Sequence, residues 1–99
     1  MMENEFKHSL VEKVPPAGLS TALTALWWLG KEDWDKAHEL VAEEDGVDCA
    51  WIHAHLHRVE GDLDNARYWY RQAGRQPAKG ELAEERAAIV AALLGSGRP

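Results

Sequence analysis

Glu32-Asp33-Trp34-Asp35-Lys36-Ala37 returns as Gly61-Asp62-Leu63-Asp64-Asn65-Ala66, 29 residues further along the chain. Each copy follows an apolar segment and opens another, with an Asp suited to an N-cap and an Ala four positions beyond it. A fixed offset of this size marks a helix-turn-helix written twice, each pair burying one face on the next. The expected fold is all-α: an antiparallel array of five to six helices.

Working outward, Leu19, Leu23, Leu26 and Trp27 make an apolar stripe that Ala22, Ala25 and Leu29 widen almost all round. A helix apolar on most sides belongs at the centre of a bundle. Gly30 is expected to end it. Asp33 then caps a second helix whose stripe is Trp34, Ala37, Leu40 and Val41, closing a first hairpin over 19–44. Asp48 is expected to cap a third helix ending at Gly61, and Asp62 a fourth with Leu63, Ala66, Trp69, Tyr70 and Ala73 facing inward, giving a second hairpin over 48–74. A last helix over 81–94 carries Leu82, Ile89, Val90 and Leu93 and caps the stack, and 95–99 reads as a flexible tail. Phe6, Leu10, Val11 and Val14 place a short amphipathic helix in the N-terminal segment, 1–16, ended by Pro15-Pro16. All of this fits one domain.

Asp33-Trp34-x-x-Ala37 and Asp62-Leu63-x-x-Ala66-x-x-x-Tyr70-x-x-Ala73-x-x-x-Pro77 resemble tetratricopeptide repeats over residues 19–78. That resemblance implies that Ala25 nests on Ala37 and Ala54 on Ala66, and that the protein is an interaction scaffold. The family's period is about 34 residues, so the turn between these units is shortened. The stretch Ala50-Trp51-Ile52-His53-Ala54-His55-Leu56-His57-Arg58-Val59-Glu60-Gly61-Asp62, leading into Asn65 to Arg75, is also similar to short helical proteins, mainly bacterial, of uncharacterised activity.

Composition narrows the function. A net charge of −6 argues against a general nucleic-acid or anionic-membrane binder. Residues 1–49 carry four Lys against eleven Asp and Glu, whereas residues 50–99 are nearly neutral. That asymmetry suits docking of the halves or head-to-tail association. One cysteine, Cys49, rules out an internal disulfide framework and points to a cytoplasmic setting. No signal-peptide pattern opens the chain, and no apolar stretch is long enough to span a bilayer.

His53, His57 and Glu60 are the most suggestive chemical group, falling within a sector of about 60° on one helix face. Three readings compete. The imidazoles are inter-helix hydrogen-bonders satisfied by Glu60, Asn65 or a tyrosine hydroxyl; or they line a small-ligand pocket, with Arg58, Asn65 and Tyr68 nearby; or His53, His57 and Glu60 hold a metal. His38 sits one turn after Trp34 at the edge of the buried stripe and is expected to face solvent; the alternative is that stacking of the helix pairs brings it towards the third helix as a further imidazole and binding candidate. In a tetratricopeptide-like packing, Asp48, Trp51, His55 and Arg58 would line the concave surface, and a Trp beside an Arg there suits a partner; the competing and favoured reading has Trp51 as core filler and Arg58 as a surface charge. Arg67, Arg71 and Arg75 form a basic stripe beside Tyr68, read as a solvated or internally paired face rather than a base-stacking one.

No catalytic motif is present and no cofactor is implied. Cys49 near a helix N-terminus, with His53 one turn on, is the one arrangement pointing to a nucleophile. The sequence therefore favours a cytoplasmic interaction module or assembly subunit, with an unidentified protein partner or a homodimer as its complement. A ligand- or metal-binding site at the histidines is the alternative.

Overall fold

The computed structural model describes residues 1–95, so the expected tail, apart from Gly95, lies outside them. Six helices follow in order: α1 (Glu3–Ser9), α2 (Thr21–Gly30), α3 (Trp34–Ala42), α4 (Val47–Glu60), α5 (Leu63–Ala73) and α6 (Leu82–Gly95). There is no strand among the described residues. The fold is all-α, and none of its helices is long and apolar enough to cross a membrane.

The quoted repeat sets both hairpins by the same local chemistry. Asp33 accepts from Lys36 N at 3.0 Å, and Asp62 accepts from Asn65 N at 3.3 Å, each satisfying an orphan donor of the helix it opens. The preceding helices end alike. Asp33 N reaches back to Trp28 O and Asp62 N to His57 O, both at 2.9 Å, and the residue between is left-handed. Gly61 fills that position in the second copy at φ +87°, and Glu32 fills it in the first at φ +64°.

Ala25, Ala37, Ala54 and Ala66 are all buried, and the most extensive helix contacts are α2 with α3 and α4 with α5. α4 is the hub, packing on α2, α3, α5 and α6. Its Ile52, Ala54, His55 and Leu56 have no exposed surface. Overall extents of 33 × 31 × 27 Å show that the two hairpins and α6 close into a ball rather than an open solenoid.

Several boundaries differ from the sequence expectation. α1 ends at Ser9, and Val11 and Val14 are exposed. Here the chain is drawn over the end of α2, where Lys31 Nζ donates to Leu10 O at 2.6 Å and Glu12 O at 2.9 Å. Leu19 lies outside α2, which Ser20 caps by accepting from Leu23 N. Gly30 is the last residue of α2 rather than its stop, and its missing side chain leaves room for Leu10, whose Cδ2 would lie 2.9 Å from an added Cβ. α4 begins at Val47, with Gly46 at the cap and Asp48 already in the first turn. Leu63 is exposed, because at the first position of α5 it precedes the inward stripe of Ala66, Tyr70 and Ala73.

Candidate functional site

Three imidazoles meet where α3, α4 and α5 converge. His53 and His57 stand one turn apart on α4 and stack with centroids 4.9 Å apart. Trp69 of α5 lies flat on the far face of His53 at 3.9 Å. From α3, Trp34 and His38 form a second stack at 4.8 Å, and His38 meets His53 edge-on, their Nε2 atoms 3.0 Å apart. Trp34 is fixed in turn by donating its indole N–H to Leu56 O at 2.8 Å. One ring nitrogen from each of His38, His53 and His57 lies within 4.8 Å of the others.

His38 is half-buried in this cluster rather than facing solvent, because its ring covers that of Trp34. His57 donates Nδ1–H to Glu60 Oε1 at 2.6 Å, so its Nε2 is the nitrogen not engaged by the carboxylate. Neither Asn65 nor a tyrosine serves His53: Asn65 turns to Asp62, and Tyr68 is exposed with its ring edge-on to Trp69. His53 Nδ1 is buried without any hydrogen-bond partner.

The expected metal set of His53, His57 and Glu60 is corrected by this geometry. Among the described residues, close ligand atoms group as His38–His53–His57 and as His57–Glu60–Asp62. His53 and Glu60 are seven residues apart, about 10 Å along a helix, so no single ion on α4 reaches both easily. His38 stands in the place expected for Glu60.

Burial, and then the neighbouring His38 and His57, push the His53 imidazole down to about 4. The same burial, with His57 beside it, lowers His38, while Glu60 and Asp35 act in the opposite direction. Both rings are therefore neutral near pH 7, with lone pairs available.

The other flank of α4 is closed. His55, expected on an open concave surface with Trp51 and Arg58, has no exposed surface. α6 lies there, and its Glu85 accepts from His55 Nδ1 at 2.7 Å, from Arg58 Nη1 at 3.0 Å and from the Tyr70 hydroxyl of α5. Arg86 Nε donates to His55 Nε2 at 3.2 Å, so both ring nitrogens are used. Burial alone would raise the Glu85 carboxyl, but the hydrogen bonds from His55, Tyr70 and Arg58 outweigh it and hold the group below its usual range. Tyr70 is raised, by burial first and then by Glu85. Trp51 is buried, with the Arg75 guanidinium 3.3 Å above its ring, and Arg67 pairs with Asp64. Of the expected concave set, Trp51, His55 and Arg58 are thus taken by internal partners, while Asp48 is exposed.

Cys49 is buried at the start of α4. Burial, then Glu44 and Asp48, raise its thiol, reversing the expected effect of the helix N-terminus.

Trp34 and Trp69 were read from the sequence as packing residues only. The available signal is a second aromatic i, i+4 pair, Trp34–His38, on the helix before His53–His57. No protein-family model matches the chain, and no curated protein or solved structure matches it.

Proposed function

We propose that this protein is a small helical binding protein whose recognition element is the imidazole cluster of His38, His53 and His57, walled by Trp34 and Trp69. One observation carries the reading: a ring nitrogen from each of His38, His53 and His57 lies within 4.8 Å of the others, in a cluster whose hydrogen bonds leave His53 Nδ1 without a partner. A buried polar group left unsatisfied costs about 1–3 kcal/mol, and a half-satisfied network is worse for folding than apolar packing. Packing alone gives no reason to keep three imidazoles in one place. A ligand that uses their lone pairs does.

The interaction-scaffold reading drawn from tetratricopeptide resemblance needs an open concave face, and Glu85 and Arg86 of α6 engage His55 and Arg58, two of the four residues that would supply it. Self-association remains the competing outcome of the test. A buried, unpaired Cys49 fits a reducing, cytoplasmic setting.

Native mass spectrometry of untagged protein, compared with the same sample under denaturing conditions, tests the proposal. A mass excess present only in the native spectrum, and lost in His38→Ala, is the expected result. A ligand-free native dimer, unchanged in His38→Ala, would support an assembly subunit instead.

A further inference from the structure

We propose that the ligand of this cluster is a divalent transition-metal ion of the zinc class, bound by one ring nitrogen each from His38, His53 and His57. This rests on the binding-site reading above and adds the chemistry of what is bound.

The donor set argues for it first. Neutral imidazole suits zinc, copper and nickel, and poorly suits calcium or magnesium, which prefer oxygen. Three imidazoles with no thiolate in reach match the three-protein-ligand pattern that leaves a fourth position for water or a small molecule. Ligands of a tetrahedral ion bound at about 2.0–2.1 Å stand about 3.3 Å apart. His38 Nε2 and His53 Nε2, 3.0 Å apart, already have that spacing. The third nitrogen lies within 4.8 Å of both.

The surroundings argue for it next. A metal-binding imidazole commonly gives its other N–H to a carboxylate, which fixes the tautomer and aims the free nitrogen. Glu60 makes that bond to His57 Nδ1 at 2.6 Å. Trp34 and Trp69 hold the His38 and His53 rings face-on, so these two ligands are oriented by packing rather than by carboxylates.

In the metal-free cluster the 3.0 Å contact requires a proton on one of the two Nε2 atoms. Metal binding moves that proton to the Nδ1 of the same ring, and both Nε2 lone pairs then point at the ion. No bond to carbon changes and no electron is transferred.

His57–Glu60–Asp62 shares His57 and lies nearer the surface, so it is the natural competitor for the same ion. Asp62 caps α5, and Asn is an equally good cap, so Asp62→Asn tests that outer group without disturbing the helix.

The experiment uses untagged full-length protein, stripped with a chelator and dialysed, titrated with Zn²⁺ by calorimetry and with Co²⁺ by visible absorption. Helix content of every variant is checked by circular dichroism. One ion per chain is expected, with Co²⁺ ligand-field bands that His38→Ala and His53→Phe remove. Glu60→Gln should keep the stoichiometry and weaken affinity by about 10–100-fold, as loss of an orienting carboxylate does. Asp62→Asn should bind like the parent. Absence of uptake by the folded parent protein overturns the metal assignment, as does uptake unchanged in His38→Ala or abolished in Asp62→Asn. A native mass excess lost in His38→Ala, together with refusal of Zn²⁺ and Co²⁺ by the stripped protein, retains the binding site and rejects the metal.

Discussion

Glu85 on α6 accepts from His55 Nδ1 on α4 at 2.7 Å, and the same carboxylate receives Arg58 and the Tyr70 hydroxyl, so three helices are tied at one buried anion. Only 5% of the Glu85 side chain is exposed. Removing one partner of such a network leaves the others uncompensated, at about 3–5 kcal/mol. Glu85→Ala is expected to lose that much in urea unfolding, a large part of what a domain of this size has. Arg67→Ala, which breaks only an exposed pair with Asp64, should leave the midpoint nearly unmoved.

Stability should fall with acid in two windows. Unfolded His53 takes its proton near 6.5, whereas the folded ring waits until about 4. The unfolded chain therefore gains protons first, and stability declines as pH drops from 6.5 to 4, by about 3 kcal/mol at most from this group. His38 shifts the same way and steepens the slope. Glu85 acts lower: its folded carboxyl lies below the unfolded one, so its contribution is complete above the ordinary carboxylate range and disappears as pH falls through the folded value. Urea midpoints of chelator-treated protein between pH 7.5 and 4 should show the first loss, and His53→Phe should flatten it. A flat profile in the parent protein would contradict the burial of that ring.

What could be read from the sequence was local. Asp33 and Asp62 reveal their caps because the acceptor and donor are three residues apart. His53 and His57 announce a shared face through helical spacing alone. The rest depends on how separate elements stack. His55 looks like a surface residue until α6, 30 residues on, brings Glu85 to it. His38 joins the cluster only because α3 lies against α4, which neither helix states by itself. Glu60 was legible as a hydrogen-bond partner of these imidazoles, because it lies three residues beyond His57 on the same face, and it bonds His57 Nδ1 there. By contrast, the start of α4 at Val47 is set by Gly46 at φ +114°, a backbone choice that Asp48, the better cap by residue type, concealed.

The paired helix ends make a clean comparison. Gly61 is left-handed, and an added Cβ would meet nothing within 4 Å, so Gly61→Ala carries a backbone penalty alone. That penalty is about 1–2 kcal/mol. Glu32 bears the same conformation with a side chain, so Glu32→Gly should move stability the other way. Its gain is limited to about 1 kcal/mol by the extra freedom glycine gives the unfolded chain. Loss of the charge that faces Arg86 trims it further. Opposite signs for the two substitutions in thermal unfolding are the expected outcome; equal signs would mean that the two turns are not equivalent.

Cys49 offers a test of the closed end of α4. Its side chain is buried, and burial together with Glu44 and Asp48 disfavours the thiolate. In disulfide exchange the Cys49 thiolate attacks the reagent and displaces its thiolate, so reaction in the folded protein should be slow at pH 8 and should accelerate with urea in step with unfolding. Neutralising one neighbour, Glu44→Gln, should raise the folded-state rate only modestly, because burial is the larger cause and remains. Rapid labelling of the native protein would instead mean an open, activated thiol. His53, one turn along the same helix, would then have to be reconsidered as its base rather than as part of the imidazole cluster.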